Sequence, residues 1–249
     1  TSDAANHVEG DSYQSTMTYA NFTRPLWRWL WNPSEKREEP QLGRGRKQIS
    51  AKQLLELHSK FAGTFPWQLR MHNLNALDTH DTGRFKSFSI PGSQRVAAGL
   101  QFTFPGIPMI FAGDEFGLDG YNGENSRTPI PWNGEREFDA SMIETYARLS
   151  KLRKSHRALV DGSMRWLFAS EEAMAFAREN KTETILVIAT RGKDRHIEFP
   201  RDALAQPEQA PEQAKNLFGN GELRVVGNKI RYESVKLDFQ IWRLPSAHR

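Results

Sequence analysis

Two adjacent residues in the first half of the chain, His80 and Asp81, have side chains that could carry out acid–base or charge-stabilising chemistry. They lie in NALDTHDTGRF, residues 75–85, where a short apolar run gives way to a predicted loop. A carboxylate there can transfer a proton or act as a fixed anion beside a developing positive charge. Taken alone, an aspartate in a loop more often shapes a turn through its own backbone. Acid–base catalysis by Asp81 would also require a second group elsewhere in the chain.

Polar and acidic residues follow three short runs of apolar or β-prone residues. The run ends are residues 19–22, 79–82 and 113–116, and the last two contain carboxylates. In parallel βα architectures, functional side chains gather where strands end, because those ends converge on one mouth. We therefore expect Asp81 to lie close to the residues near Gly113. We interpret Asp114 and Glu115 as structural groups that tie the loop to the strand end.

Strands and helices are predicted to alternate three times over residues 10–155, which indicates parallel βα units. The predicted strands are residues 13–19, 74–79 and 107–113. The predicted helices are one with Pro25 in its first turn, residues 50–63, residues 93–104, and residues 139–155 capped by Asp139. Residues 107–113 have the continuous apolar run of a strand buried on both faces. Since three such strands would leave unpaired edges, we expect that further strands exist and that this chain lacks them.

The helix with Pro25 in its first turn would carry Trp27, Trp29 and Trp31. This spacing does not place three side chains on one helix face, so we expect at least one to be exposed. We interpret the three tryptophans as packing residues first and as aromatic surfaces for a ligand second.

Residues 158–249 change to short alternating runs separated by turns, which predicts an antiparallel β domain. The predicted strands are residues 164–168, 174–178, 184–188, 196–199, 223–226, 230–232 and 235–242. Glycine-containing hairpin turns are predicted at residues 192–194, 219–221 and 227–228. Residues 205–214, rich in Pro, Gln, Ala and Glu, are predicted to form a long surface loop. The predicted domains are therefore residues 1–157 and residues 158–249.

The composition favours a folded protein and excludes several kinds of site. The 249 residues are 38% hydrophobic and 11% aromatic, and 34 basic against 30 acidic residues give a net charge of +4. No cysteine is present, which excludes disulfides and thiolate zinc sites and fits a cytoplasmic location. No apolar run approaches a membrane span, and no Lys/Arg stripe accompanies the positive charge. We therefore expect neither a membrane nor a nucleic acid as a partner, and we interpret the mixed-charge residues 35–47 as a solvated loop.

Three segments of the chain resemble the α-amylase family of glycoside hydrolases. LDTHDTGR, residues 77–84, resembles the seventh-strand segment of the family's (β/α)8 barrel. GIPMIFAGDEFGLDG and the NSRTPIPW that follows, within residues 106–132, resemble the eighth-strand segment. STMTYANFTRPLWRWL, residues 15–30, is similar to the sixth strand and helix of the maltogenic and neopullulanase-like branch. The resemblance covers about residues 10–157. It implies an α/β fold, with strands six to eight of a TIM barrel followed by an antiparallel β-sandwich domain.

The resemblance implies retaining hydrolysis of α-glucan oligosaccharides, which uses a nucleophile carboxylate and an acid/base carboxylate. Asp81 matches the family's third carboxylate, which stabilises the transition state, and His80 matches a histidine that binds sugar hydroxyls. Arg84 is expected to bind substrate, with carboxylate pairing or loop anchoring as alternatives. Arg127 is expected to reach a sugar hydroxyl, with packing against Trp132 as the alternative. No cofactor is implied, and calcium stays open because its sites in this family often involve the N-terminal half.

The other two catalytic carboxylates of the family have no matching segment in this sequence. The family's nucleophile lies in an Asp-Gly-x-Arg-x-Asp type segment, and its acid/base glutamate often follows a glycine. Asp119 and Gly120 are not followed by an arginine, and Glu124, Glu135 and Glu222 follow glycines in loops after the wrong strands. We therefore expect the chain to be the C-terminal half of such an enzyme. It would be inactive alone and would need the N-terminal half as a second chain.

Two other functions remain open from the sequence. A non-catalytic carbohydrate-binding or regulatory module could keep the Asp81 site as a weak sugar-binding site. Nucleic-acid binding is supported only by the basic charge balance. The sequence does not distinguish hydrolysis from transglycosylation, because water access depends on loops outside it.

Overall fold

The structure, a computed structural model, describes residues 2–9, 11–42, 47–192, 196–205, 213–234 and 237–245. Its contacts divide the chain into two compact units. Unit 1 comprises Thr1–Ile49, Gln53–Gln101 and Gly106–Leu149. Unit 2 comprises Ser50–Lys52, Phe102–Pro105 and Ser150–Arg249. The domain boundary predicted between residues 157 and 158 stays a prediction.

Helices make up most of the regular structure up to residue 155. They are α1 Ser2–Ala5, α2 Arg24–Leu30, α3 Ala51–Ala62, α4 Trp67–Arg70, α5 Phe85–Phe88, α6 Gln94–Thr103, α7 Gly123–Ser126 and α8 Ala140–Ser155. A π-helical turn, Tyr19–Thr23, leads into α2, and short 3-10 turns occur at Pro40–Leu42 and Asp114–Phe116. The helices predicted from Pro25, from residues 50–63, from residues 93–104 and from residues 139–155 are confirmed.

A small parallel sheet in unit 1 carries the segments of interest. Strand β1, Leu74–Ala76, pairs in parallel with β2, Ile107–Met109. Met17 forms a single parallel bridge with Leu74. The prediction that the three segments run parallel to one another is therefore confirmed.

The strand predicted at residues 13–19 is wrong apart from the bridge at Met17. The carbonyl oxygen of Thr18 accepts hydrogen bonds from the N–H groups of Phe22 and Thr23, at 2.9 and 3.1 Å. These bonds turn the chain into the π-helical segment before a strand can extend. The β-prone composition of these residues could not reveal this turn, because it depends on residues beyond the run.

Residues 107–113 are less buried than their apolar run predicts. Ile107 is 43% exposed and Ile110 is 40% exposed. Within the described part of the chain, β2 pairs only with β1. The expectation of burial on both faces therefore fails, because burial of a strand depends on neighbours that lie outside its own sequence.

All three tryptophans near α2 are buried, which corrects the expectation that at least one is exposed. Trp31 follows the end of α2 with extended backbone angles, φ −56° and ψ 133°, so helical spacing does not govern it. Its ring lies 6.1 Å from that of Trp27 and 5.5 Å from that of Phe88. An aromatic cluster therefore covers more than one side of α2.

Unit 2 contains two antiparallel sheets. The strands are β3 Ser163–Ala169, β4 Ala173–Glu179, β5 Thr184–Arg191, β6 Ile197–Pro200, β7 Lys215–Phe218, β8 Arg224–Val226, β9 Lys229–Tyr232 and β10 Leu237–Leu244. A five-stranded sheet has the order β3-β4-β5-β10-β7, and a three-stranded sheet has the order β6-β9-β8. Helix α9, Arg157–Asp161, precedes β3. Buried side chains of both sheets, including Leu186, Trp242, Phe199 and Ile230, form one apolar core.

The turn predicted at residues 219–221 is not a hairpin, and β7 was not predicted. Strand β7 pairs with β10, whereas β8 pairs with β9, so this turn connects the two sheets. The buried amide of Gln240 holds it, since Gln240 Oε1 accepts hydrogen bonds from Gly221 N at 3.0 Å and Asn216 Nδ2 at 3.1 Å. A glycine-rich sequence marks the turn but not the sheet to which the next strand belongs.

The turn predicted at residues 227–228 is confirmed. It joins β8 to β9, and Gly227 adopts a positive φ of 60°. Four predicted features lie partly outside the described residues. They are the turn at residues 192–194, the loops at residues 35–47 and 205–214, and the start of the strand at residues 235–242.

Candidate active site

Threonine hydrogen bonds shape the loop after β1. Thr79 N donates to Thr82 Oγ1 at 3.0 Å, and Asp81 N donates to Thr79 Oγ1 at 3.3 Å. The hydroxyl groups of Tyr19 and Thr79 are hydrogen-bonded at 2.8 Å, which ties this loop to the segment after the Met17 bridge. The two threonines therefore bury their own side chains and present His80 and Asp81 outward.

The carboxylate of Asp81 lies beside two nitrogen-bearing side chains. Its Oδ1 is 3.3 Å from His80 Nε2 and 3.8 Å from Arg127 Nη2. Arg127 Nε also donates to the His80 carbonyl oxygen at 2.8 Å. The side chain of Asp81 is 58% exposed, so the carboxylate faces solvent while His80 and Arg127 hold it from one side.

The loop after β2 packs against this group. A Cβ placed on Gly123 would lie 3.2 Å from the His80 carbonyl oxygen and 3.4 Å from the Asp81 carbonyl carbon. Asp81 therefore lies close to Gly123 in the loop after β2, while its expected proximity to the residues near Gly113 stays a prediction.

Arg84 joins the two loops from inside unit 1. Its Nη1 donates to Asp114 Oδ1 at 2.8 Å, and its Nη2 donates to the carbonyl oxygens of Ala112 at 2.8 Å and Ser126 at 3.0 Å. Only 1% of the Arg84 side chain is exposed. Both alternatives that the sequence left open, carboxylate pairing and loop anchoring, fit this geometry. Direct substrate binding by Arg84 stays a prediction without geometric support.

Gly113 is a position where only glycine fits. Its φ is +110°, a region that side chains disfavour, and a Cβ there would lie 2.8 Å from Arg84 Nη2 and 2.8 Å from Leu118 Cδ1. Gly113 N also donates to Glu115 Oε2 at 2.8 Å. The glycine that precedes Asp114 and Glu115 therefore lets the backbone approach the Arg84 guanidinium closely.

Asp78 and Asp114 form a buried acidic pair that the sequence did not mark as such. Phe85 N donates to Asp78 Oδ2 at 2.6 Å, and both carboxyls are almost fully buried. Burial raises the pKa of Asp78 to about 6. Burial and the neighbouring Asp78 raise the pKa of Asp114 well above its usual range. The signal that could have indicated Asp78 is its place in the same motif as Asp81, at the end of β1.

Arg127 and Trp132 do not form the packing pair considered as an alternative for Arg127. Arg127 contacts His80, Asp81 and Glu124, the last at 3.3 Å. Trp132 packs edge-on against Phe116, with ring centroids 5.4 Å apart. Arg127 is therefore available to the site that Asp81 faces.

Neither a metal site nor a membrane span is found in the part of the chain that the structure describes. No three His, Asp or Glu side chains there are grouped so that they could hold a metal ion. No helix there is long and apolar enough to cross a bilayer. Calcium dependence stays open, as the sequence left it.

Comparison with known proteins identifies the relatives of this chain. No protein-family model matches it. Cyclomaltodextrinase of Bacillus sp is 34% identical over 145 residues, which are 56% of this chain and 25% of that enzyme. Neopullulanase 2 of Thermoactinomyces vulgaris is 29% identical over 203 residues, 78% of this chain and 32% of that enzyme.

The solved structure of a debranching enzyme from Nostoc punctiforme matches with a TM-score of 0.81 and 21% identity. The match covers 98% of this chain and 50% of that one. The chain is related to the α-amylase family of glycoside hydrolases. The fold class expected from the sequence, the C-terminal part of an α-amylase family barrel followed by an antiparallel β domain, is confirmed. The chain matches a quarter to a third of the length of these two α-amylase family relatives and half of the solved structure.

Proposed function

We propose that this chain supplies barrel strands six to eight and the C-terminal β domain of a retaining α-glycosidase that acts on α-glucan oligosaccharides. The observation that carries the proposal is the solvent-facing Asp81 carboxylate, held by His80 and Arg127 after a parallel strand. In this proposal Asp81 is the catalytic carboxylate that stabilises the transition state. His80 and Arg127 bind sugar hydroxyls, and Arg84 positions the loop.

The proposed role of Asp81 is electrostatic. Glycoside hydrolysis passes through an oxocarbenium-like transition state, in which positive charge develops on the sugar ring. A fixed anion next to that ring stabilises the transition state more than the ground state, because the charge is absent from the ground state. The neighbouring His80 and Arg127 keep the carboxylate oriented, so little reorganisation is needed when the charge appears.

Retaining hydrolysis also needs a nucleophile and an acid/base carboxylate. The sequence has no segment that matches either, so we propose that the preceding barrel strands supply both and that this chain alone is inactive. The expected partner is therefore the N-terminal half of the same enzyme. The cytoplasmic location stays a prediction.

The test is reconstitution with a polypeptide that carries the preceding barrel strands. The mixture should hydrolyse a p-nitrophenyl α-glucoside or maltooligosaccharides, while the lone chain should not. Asp81→Asn should lower kcat by at least about a hundredfold, the usual order for removing one preorganised charge-stabilising group. The matched control is Asp119→Asn, because Asp119 is an exposed acid in the neighbouring loop, with 53% of its side chain accessible. This control should retain activity.

Two outcomes would contradict the proposal. Activity in the mixture that survives Asp81→Asn would remove Asp81 from the mechanism. Glucan binding by the lone chain, with no activity in any mixture, would favour the non-catalytic binding module instead.

A further inference from the structure

Two buried carboxyl groups, Asp78 and Asp114, lie near one buried arginine, Arg84, which pairs with Asp114. Asp78 is 1% exposed and Asp114 is 2% exposed. Arg84 Nη1 donates to Asp114 Oδ1 at 2.8 Å, and Phe85 N donates to Asp78 Oδ2 at 2.6 Å. One oxygen of each carboxyl therefore has a donor.

Within the described part of the chain, the second oxygen of each carboxyl group lacks a hydrogen-bond donor, and one proton held by the pair would supply one. Among the described residues, Asp78 Oδ1 and Asp114 Oδ2 are buried and have no hydrogen-bond donor. The two carboxyl groups nevertheless lie within hydrogen-bonding reach of each other. Two buried carboxylates in contact repel each other, whereas a carboxylic acid donates one hydrogen bond to a carboxylate.

We propose that Asp78 and Asp114 hold one proton between them, and that this pair forms with Arg84 a neutral buried triad that positions the loops carrying Asp81 and Arg127. One cation then balances one carboxylate, so the interior of unit 1 holds no net charge from these groups. Arg84 follows Asp81 by three residues and contacts the backbone of Ser126, next to Arg127. The inference does not depend on glycosidase activity, since every group belongs to this chain.

The charges around the pair support retention of the proton. Burial is the largest effect and raises the pKa of both groups; Glu39 raises that of Asp78 further, and Arg84 lowers both. Burial raises the pKa of Tyr146 most, and the negative charges of Asp114, Asp78 and Glu115 raise it further. The pKa of Asp78, about 6, and the pKa of Asp114, raised well above its usual range, favour a pair that still holds one proton at a pH where ordinary aspartates are ionised.

The sign of the pH dependence follows from these raised pKa values. The folded state binds the shared proton more tightly than the unfolded chain does, so the pair's contribution to stability is lost as the pH rises through the folded pKa. Asp114→Asn replaces the acid with a permanent neutral donor and removes this proton. From about pH 4, the ordinary pKa of aspartate, up to the folded pKa of the pair, the folding constant of the wild type should therefore fall relative to that of Asp114→Asn by up to about tenfold per pH unit.

Infrared spectroscopy of the full chain at about pH 6 tests the proton directly, because ordinary aspartates are ionised at that pH. The wild type, with ¹³C-labelled aspartate, should show the C=O stretch of an un-ionised carboxylic acid. Both Asp114→Asn and Asp78→Asn should remove it, and Asp119→Asn should leave it unchanged. The absence of this band in the wild type overturns the proposal, even if the variants fail to fold.

Amide NMR tests the positioning role. The amide signals of Phe85, Asp81 and Arg127 should shift with a common midpoint as the pair loses its proton in the wild type, and that titration should vanish in Asp114→Asn. Shifts of Phe85 alone would confine the pair to a local structural role and contradict the positioning part.

Discussion

The guanidinium of Arg84 donates to Ala112, Asp114 and Ser126 within the loop after β2, while its own backbone belongs to the loop that presents Asp81. A planar group with several donors in fixed directions can hold two loops in one geometry, which a lysine ammonium does less well. Arg84 therefore links the loop that carries the exposed Asp81 to the buried pair of Asp78 and Asp114.

Removing the Arg84 guanidinium should be strongly destabilising. Arg84→Met leaves the buried Asp114 without its cation, and breaking a buried ion pair from one side costs about 3–5 kcal/mol. Urea unfolding of the chain followed by circular dichroism measures this loss. Arg127→Met is the matched control, because its side chain is 45% exposed and surface pairs contribute about 0–1 kcal/mol. A loss in Arg84→Met no larger than the about 0–1 kcal/mol expected for Arg127→Met would show that the Arg84 contacts do not stabilise the fold.

The sequence indicated the exposed residues of the site better than the buried ones. Asp78 and Asp81 are the same residue type, three positions apart in one motif, yet one is buried and the other exposed. The difference in their burial depends on the loop after β2, about thirty residues later in the chain. This loop supplies the partners of Arg84. Motif reading locates such residues, but only tertiary contacts decide which of them meet solvent.

At the scale of elements, helix α8 begins with a side-chain cap that the sequence predicted. Asp139 Oδ1 accepts hydrogen bonds from the backbone N–H groups of Ser141 at 3.0 Å and Met142 at 3.2 Å. The hydrogen bond from the Ser141 side chain is the largest effect that lowers the pKa of Asp139. The contribution of the carboxylate is therefore present at neutral pH and lost as the pH falls through that lowered value.

Asp139→Ala should lower the free energy of unfolding by about 1 kcal/mol, because it leaves N–H groups of the first turn without an acceptor. Thermal unfolding at neutral pH measures the change. Asp139→Asn keeps a good capping oxygen and serves as the control, with a much smaller effect expected. A full loss in the asparagine variant would mean that the charge, rather than the cap, stabilises the start of α8.

The predicted helices all form, and the strands predicted in unit 2 overlap β3 to β6 and β8 to β10, but β7 and the turn at Thr18 were missed. The apolar spacing and caps of α3, α6 and α8 act within each segment, so the sequence contains most of what determines them. Strand β7 forms because β10 lies beside it, and residues 13–19 pair only at Met17 because the chain turns at Thr18. Pairing partners are distant in sequence, and local composition does not specify them.

At the scale of the whole chain, the parallel sheet of unit 1 presents apolar side chains at its β2 end. Ile107 and Ile110 are 43% and 40% exposed, and β2 has one pairing neighbour among the described residues. An unpaired strand edge with apolar side chains is a template for association with another chain. We therefore expect the isolated chain to self-associate through this edge.

Ile110→Glu should weaken that association by about tenfold or more, because burying one isoleucine contributes about 1.5–3 kcal/mol and each 1.4 kcal/mol is a factor of ten. Sedimentation velocity over a range of concentrations measures the association constant. Ile143→Glu is the matched control, since Ile143 is 38% exposed but lies on helix α8 rather than at a strand edge. Equal weakening by both variants would indicate general apolar contact. A monomeric wild type at all concentrations would show that the β2 edge is protected in the isolated chain.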